Sequence, residues 1–164
     1  RDEDQPASEP VDLEAVARQA AGMFTAVAED RGIGIMVDAV PAPVSGNASQ
    51  LRRLLANLLD NAIRFTPRGG GVRIRVRTDR DAAVLTVSDS GPGIAPEHLA
   101  RIFDRFYKAD TARPRDDGRS GGLGLPICKA IAERHGGTIT ITGDPGTTVV
   151  VRLPLRVGMA VTAR

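Results

Sequence analysis

Residues 57–66 read NLLDNAIRFT, and Leu51 to Ala56, LRRLLA, lead into them with the same pattern. Leu51, Leu54, Leu55, Leu58, Leu59 and Ala62 recur at steps of three and four, the spacing of one stripe on a helix of about 3.6 residues per turn. The spacing predicts a helix from about Ser49, closed by Thr66, Pro67 and the run Gly69 to Gly71. Asn57 and Asn61 stand four apart, so their amides share a second face, opposite the leucines. A single Asn on a helix face is ordinarily just solvated, and it is the surrounding string NLLDNAIRFT that reverses the balance for these two.

On the N-terminal side, residues 1–10 are polar and acidic and read as a linker. From there Leu13, Val16, Ala20, Phe24 and Val27 keep helical spacing, with Asp12 placed to cap the first turn. Ile33 to Ala39 reads as a strand ended by Pro41 and Pro43. On the C-terminal side, Val72 to Thr78 and Ala83 to Asp89 alternate in polarity and are joined as a hairpin around Asp79 to Asp81. A short helix is expected near Glu97 to Phe106, with Pro96 at its start, and residues 108–121 have the composition of a mobile loop. A third long helix, Leu123 to His135, is stopped by Gly136 and Gly137 and leads into strands Thr138 to Thr142 and Thr147 to Leu153. Three long helices and about five strands imply helices layered on one face of a mixed sheet, an α+β two-layer sandwich. The domain is expected over 11–155, with 156–164 as a tail.

The composition narrows the function classes. At 164 residues and 41% hydrophobic content the chain can bury one substantial core. With four Phe, one Tyr and no Trp, that core must be aliphatic. A net charge of +2, with no basic block interleaved with aromatics, argues against a nucleic-acid platform. The lone Cys128 excludes an internal disulfide, fits a reducing compartment and, among Leu125, Ile131 and Ala132, reads as a small buried hydrophobe. No apolar run approaches the roughly 18 residues that span a bilayer, so no direct membrane contact is expected. The first residue is Arg1, so the chain reads as an excised piece of a longer protein.

Three further motifs follow NLLDNAIRFT in order: DSGPGIAP from Asp89, IFDRFY from Ile102 and GGLGLPI from Gly121. With it they resemble the N box, first glycine box, F box and second glycine box of sensor histidine kinases, a likeness that covers roughly Val11 to Leu155. The resemblance implies the Bergerat (GHKL) fold, shared with gyrase, mismatch-repair ATPases and a heat-shock chaperone, and an ATP-binding catalytic domain that uses Mg²⁺. It implies Asn61 as the magnesium ligand, with Asn57 beside it. An Asn carbonyl suits a hard cation that keeps waters and phosphate oxygens. Arg64, where the family usually has Lys, would reach a phosphate, and Phe65 would lie near adenine or else pack in the core.

Asp89 would accept a hydrogen bond from the adenine amino group; the carbonyl of guanine would set acceptor against acceptor there, a basis for preferring ATP. Gly91 and Gly93 let the backbone approach the base, Ile94 borders it, and Thr147 would join through a water. Gly121, Gly122, Leu123, Gly124 and Leu125 precede a helix, where backbone N–H groups and the helix dipole favour phosphate. Ser120 stands where the family has a first glycine, and Pro126 replaces a small residue, a change acceptable in a first helical turn. In the F box Tyr107 would border the nucleotide, and Arg105 or Lys108 would act as the lid cation, unless these are solvated bases of an ordinary amphipathic turn.

Neither His98 nor His135 has the context of the family's phosphoacceptor, so both read as structural and the substrate His is expected upstream of Arg1. The resemblance therefore implies a cytoplasmic domain that donates the γ-phosphoryl to a His on the dimerisation domain of the same kinase, with a response regulator as indirect partner. A hydrolase of the gyrase or chaperone type begins its N box with a Glu base; Asn57 cannot take that proton. An ATP-sensing interaction module and a serine-directed kinase of the same fold remain as alternatives.

Overall fold

The computed structural model describes residues 8–91, 97, 103, 124–143 and 146–156. Its elements in chain order are β1 (Glu9–Asp12), α1 (Leu13–Asp30), β2 (Gly34–Ala39), β3 (Pro43–Gly46), α2 (Ala48–Phe65), β4 (Gly71–Asp79), β5 (Ala82–Asp89), α3 (Gly124–Arg134), β6 (Thr138–Thr142) and β7 (Thr147–Pro154). Five strands form one mixed sheet in the order β2-β4-β5-β7-β6; β2 pairs with β4 in parallel and the other pairs are antiparallel. The three helices cover one face, with α2 between α1 and α3. This is the two-layer α+β sandwich the sequence predicts.

Each helix is placed by its own chemistry. Asp12 Oδ1 accepts from Glu14 N–H at 3.1 Å and caps α1, and Asn47 Oδ1 accepts from Gln50 N–H at 2.8 Å and caps α2. The leucine stripe of α2 is buried in full: Leu51, Leu54, Leu55, Leu58 and Leu59 are each at most 2% exposed. They meet Val72, Ile74 and Val76 of β4 and Leu85 and Val87 of β5, the inward positions of alternating strands. Each such side chain contributes roughly 1.5–3 kcal/mol by burial, so an aliphatic core suffices without large aromatics. The β4–β5 turn carries Arg80 at φ 60°, a left-handed residue in a tight hairpin.

Two expectations are corrected. Glu9 and Pro10, assigned to a linker by their polarity, belong to β1, which pairs antiparallel with β3 in a separate two-stranded sheet. β2 ends at Ala39, before Pro41 and Pro43 as the sequence predicts, and Pro43 begins β3. A proline lacking an N–H is tolerated here because both strands are edges. Val27, placed on the buried stripe of α1, is 50% exposed. Ala28 is buried in its place, where the chain turns back and Ile33 N–H donates to Ala28 O at 2.8 Å. Of the predicted helix from Glu97 to Phe106, only Glu97, exposed and helical, and Phe103, half-buried against the core, are among the described residues. The predicted loop over 108–121 lies outside them. No helix among the described residues is long and apolar enough to cross a membrane.

Candidate functional site

The end of α2, the end of β5, the start of β7 and the start of α3 converge. Phe65 closes α2, and Thr66 caps it in an extended conformation, 3% exposed, with Oγ1 donating to Ala62 O at 2.6 Å. Beneath it Gly70 leaves no room for a side chain: a Cβ would lie 2.5 Å from Thr66 Cγ2 and 2.6 Å from Ser90 Oγ. Ser90 Oγ accepts from Gly71 N–H at 3.0 Å and Ser90 N–H donates to Gly71 O at 3.1 Å, which ties the end of β5 to the start of β4.

Asp89 stands at this junction. Its Oδ1 accepts from Gly91 N–H at 2.8 Å, and Thr147 supplies a second backbone hydrogen bond. Burial pushes its carboxyl above the usual range, and these two bonds offset only part of that. Two glycines make the geometry possible. A Cβ on Gly91 would sit 2.7 Å from Phe65 O, and one on Gly146, at φ +62°, would collide with Asp89 O. Gly91 is thus pressed against the end of α2 and Gly146 against the end of β5, and a half-buried carboxylate is left at a strand end among backbone atoms.

Asn57 and Asn61 face α3. A Cβ on Gly124 would meet Asn61 Nδ2 at 3.5 Å, ordinary van der Waals contact, so the first residue of α3 lies beside that amide with room for a small side chain. One turn back, Asn57 Nδ2 is buried without a well-formed hydrogen bond among the described residues, beside the Cys128 sulfur, a weak acceptor. Cys128 Sγ donates to Leu54 O at 3.5 Å, and burial pushes this thiol up to about 12, so it is the inert small hydrophobe the sequence predicts. Leu125 is a core residue, 9% exposed.

Arg64 pairs with Asp60 at 3.1 Å along α2. It borders an open cavity with Phe65, Thr66 and Pro67, and the guanidinium groups of Arg31 and Arg68 make the rim basic. Among the described residues no three His, Cys, Asp or Glu side chains gather. A Mg²⁺ at Asn61 would therefore draw most of its oxygens from phosphate and water, as that ion prefers. Gly93, Ile94, Arg105, Tyr107, Lys108, Gly121, Gly122 and Leu123, all predicted site residues, lie outside the described residues. The structure brings Asn57, Asn61, Gly124 and Leu125 together along α2 and α3, and Phe65, Asp89, Gly91 and Thr147 together at the strand ends. Thr66, Gly70, Ser90 and Gly146 were not predicted. The run Gly69 to Gly71 and the Pro-Gly before Thr147 were visible, but only as turn signals.

Residues 46–157 match the family described as histidine kinase-, DNA gyrase B-, and HSP90-like ATPase. The chain belongs to this family. It is 45% identical over 132 residues to the sensor histidine kinase CusS of Escherichia coli O6:H1, covering 80% of this chain and 27% of that protein. It is 42% identical over 131 residues to the sensor protein SrrB of Staphylococcus aureus, covering 77% of this chain and 22% of that one. The chain thus spans about a quarter of the curated relatives it matches. Among solved structures it superposes on a mycobacterial sensor histidine kinase, MprB, with a TM-score of 0.81 at 34% identity, covering 90% of this chain and 99% of that chain. The catalytic domain of histidine kinase ThkA gives a TM-score of 0.79 at 25% identity, with 90% and 95% coverage. Within the family, then, this chain is an ATP-binding catalytic domain of the sensor histidine kinase type.

Proposed function

We propose that the chain binds Mg-ATP and donates the γ-phosphoryl to a histidine on the dimerisation domain of its parent kinase, in the cytoplasm, from which a response regulator then receives it. The observation that carries this reading is Asp89: a carboxylate half-buried at a strand end, flanked by Gly91 and Gly146, each too close to its neighbours for a side chain. A group held there with acceptor capacity to spare suits an amino donor such as that of adenine.

Phe65 and Thr147 would border the base and Gly91 would bring the backbone close to it; the resemblance adds Gly93 and Ile94 to this set. The phosphates would run along α2 past Asn57 and Asn61 to the start of α3, where free N–H groups and the helix dipole attract anions. Asn61 would hold the magnesium, which supplies charge neutralisation on the phosphates. Arg64, and Arg105 or Lys108 with Tyr107 from the F box, would steer the terminal phosphate. Such transfer rests on positioning and charge rather than on a base, consistent with Asn rather than Glu at position 57.

Calorimetric titration with Mg-ATP and Mg-GTP, followed by incubation with γ-labelled ATP and the parent's dimerisation domain, tests the reading. ATP-selective binding and acid-labile, base-stable label on the added domain are expected. Strong acid-stable label on the chain itself would point to a serine-directed kinase, and binding without any transfer to an ATP-sensing module.

A further inference from the structure

α2 and α3 are fastened at both ends. Contacts along α3 fall at Gly124, Cys128 and His135, and their partners on or beside α2 are Asn61, Leu54 and Asn47, so the helices run antiparallel. His135 follows α3 directly, its backbone N–H donating to Ile131 O at 3.2 Å and Ala132 O at 3.1 Å. Its ring Nδ1 lies 2.8 Å from Ile131 O, and its Nε2 accepts from Asn47 N–H at 3.1 Å. A carbonyl can only accept and a backbone N–H can only donate, so the two partners together require a proton on Nδ1 and none on Nε2. Gly46 makes the seat, since a Cβ there would collide with the imidazole.

We propose that His135 is a positioning residue: its neutral ring sets how far α3 lies along α2, and so where Gly124 meets Asn61. This rests on the Mg-ATP reading only for its effect on nucleotide. The eleven residues of α3 carry the constraint over about 16 Å as one rigid rod.

A second proton would set an Nε2–H against the Asn47 N–H and place positive charge at the positive end of α2. The charged groups on the surrounding elements are few. Glu9 of β1 accepts from Ala48 N–H at 3.3 Å, and Arg156, after β7, donates to Ser45 Oγ of β3 at 2.9 Å. The first turn of α2 has no acidic residue, and its nearest charged side chain is the exposed Arg52. On α3 itself Glu133 pairs with Lys129 at 2.8 Å, and Arg134 precedes the ring. Among the described residues, Glu9 is the carboxylate bonded to the first turn of α2, next to Asn47.

The test uses ¹⁵N-labelled protein. A scalar coupling across the hydrogen bond between the Asn47 amide nitrogen and His135 Nε2 is expected in the parent chain and should be absent in a His135→Leu variant. His135→Leu keeps bulk but removes the acceptor; it should shift the Gly124 and Asn61 side-chain amide signals at the far end and weaken Mg-ATP binding about tenfold. His135→Gln places an oxygen acceptor where Nε2 lies; it should restore both. Absence of the coupling, or unmoved Gly124 and Asn61 signals in the Leu variant, overturns the proposal. Should the parent chain bind no nucleotide, the ATP reading falls, while the coupling and the far-end signals still decide the role of His135.

Discussion

Asp89 concentrates the chemistry of the site in one residue. Folding raises its pKa, so its favourable contribution to stability is present below the ordinary carboxylate range and is lost as pH rises through the raised value; at neutral pH the buried charge is a standing cost. Asp89→Asn stays neutral and keeps an oxygen for the Gly91 and Thr147 N–H groups. The variant's melting temperature at pH 7 should therefore equal or exceed that of the parent chain, while ATP affinity falls about tenfold or more and the margin over GTP narrows. Calorimetry with both nucleotides, beside thermal melts, checks this; a lower melting temperature with unchanged ATP affinity would assign Asp89 to the fold alone. A second residue-scale consequence concerns Gly146, whose positive φ and contact with Asp89 O leave no space for Cβ. Gly146→Ala should cost both stability and nucleotide affinity, measurable in the same two experiments. Asp89 was legible in the sequence because a strand ending in Asp-Ser-Gly-Pro-Gly is an unusual string. Gly146 was not, because its role depends on a carbonyl more than fifty residues away, and turn chemistry alone cannot report a distant neighbour.

Elements were legible in proportion to their periodicity. The leucines of α2 face inward as spacing requires, and Leu54 is 1% exposed. Leu54→Ala should destabilise the fold by about 2–5 kcal/mol through the cavity left between α2 and the sheet. Urea denaturation followed by circular dichroism measures it, and a cost below about 1 kcal/mol would show that the site collapses. β1 and β3 escaped because four-residue strands with prolines carry no alternation to detect; what defines them is pairing with each other. Asp12 shows how much such a short element can hold. Its Oδ1 caps α1 and also accepts from Ala42 N–H at 2.9 Å, joining the helix start to the entry of β3. Asp12→Ala should cost about 1–2 kcal/mol, while Asp12→Asn, which keeps the oxygen, should cost less than half of that. Equal losses in the two variants would show that charge, not the hydrogen bonds, is what matters there.

At the scale of the molecule, the order of motifs revealed the sandwich and the family, while the catalytic partnership has to be reconstructed with a second domain. Incubated alone with γ-labelled ATP, the chain should bind nucleotide and remain unlabelled. Both ring nitrogens of His135 are engaged, so neither is available as a nucleophile. Supplying the dimerisation domain in trans should give slow labelling of that domain, since no tether raises its local concentration to the order of mM.

The small β1–β3 sheet has a mechanical consequence. Its strand β3 receives β1 along its length and, through Pro43 O, the N–H of Arg156 after β7, so both ends of the described fold are held by one strand, Glu9 at Gly46 and Arg156 at Pro43. Tension applied between those ends, as in an optical trap, reaches this four-residue pairing before it reaches the five-stranded sheet. The domain should therefore yield in two steps under force: a short early extension as β1 peels from β3, then rupture of the main sheet together with the helices it carries. Between the two steps the junction around Asp89 stays whole, so a load borne by the chain would be absorbed by the β1–β3 pairing before it deformed the pocket.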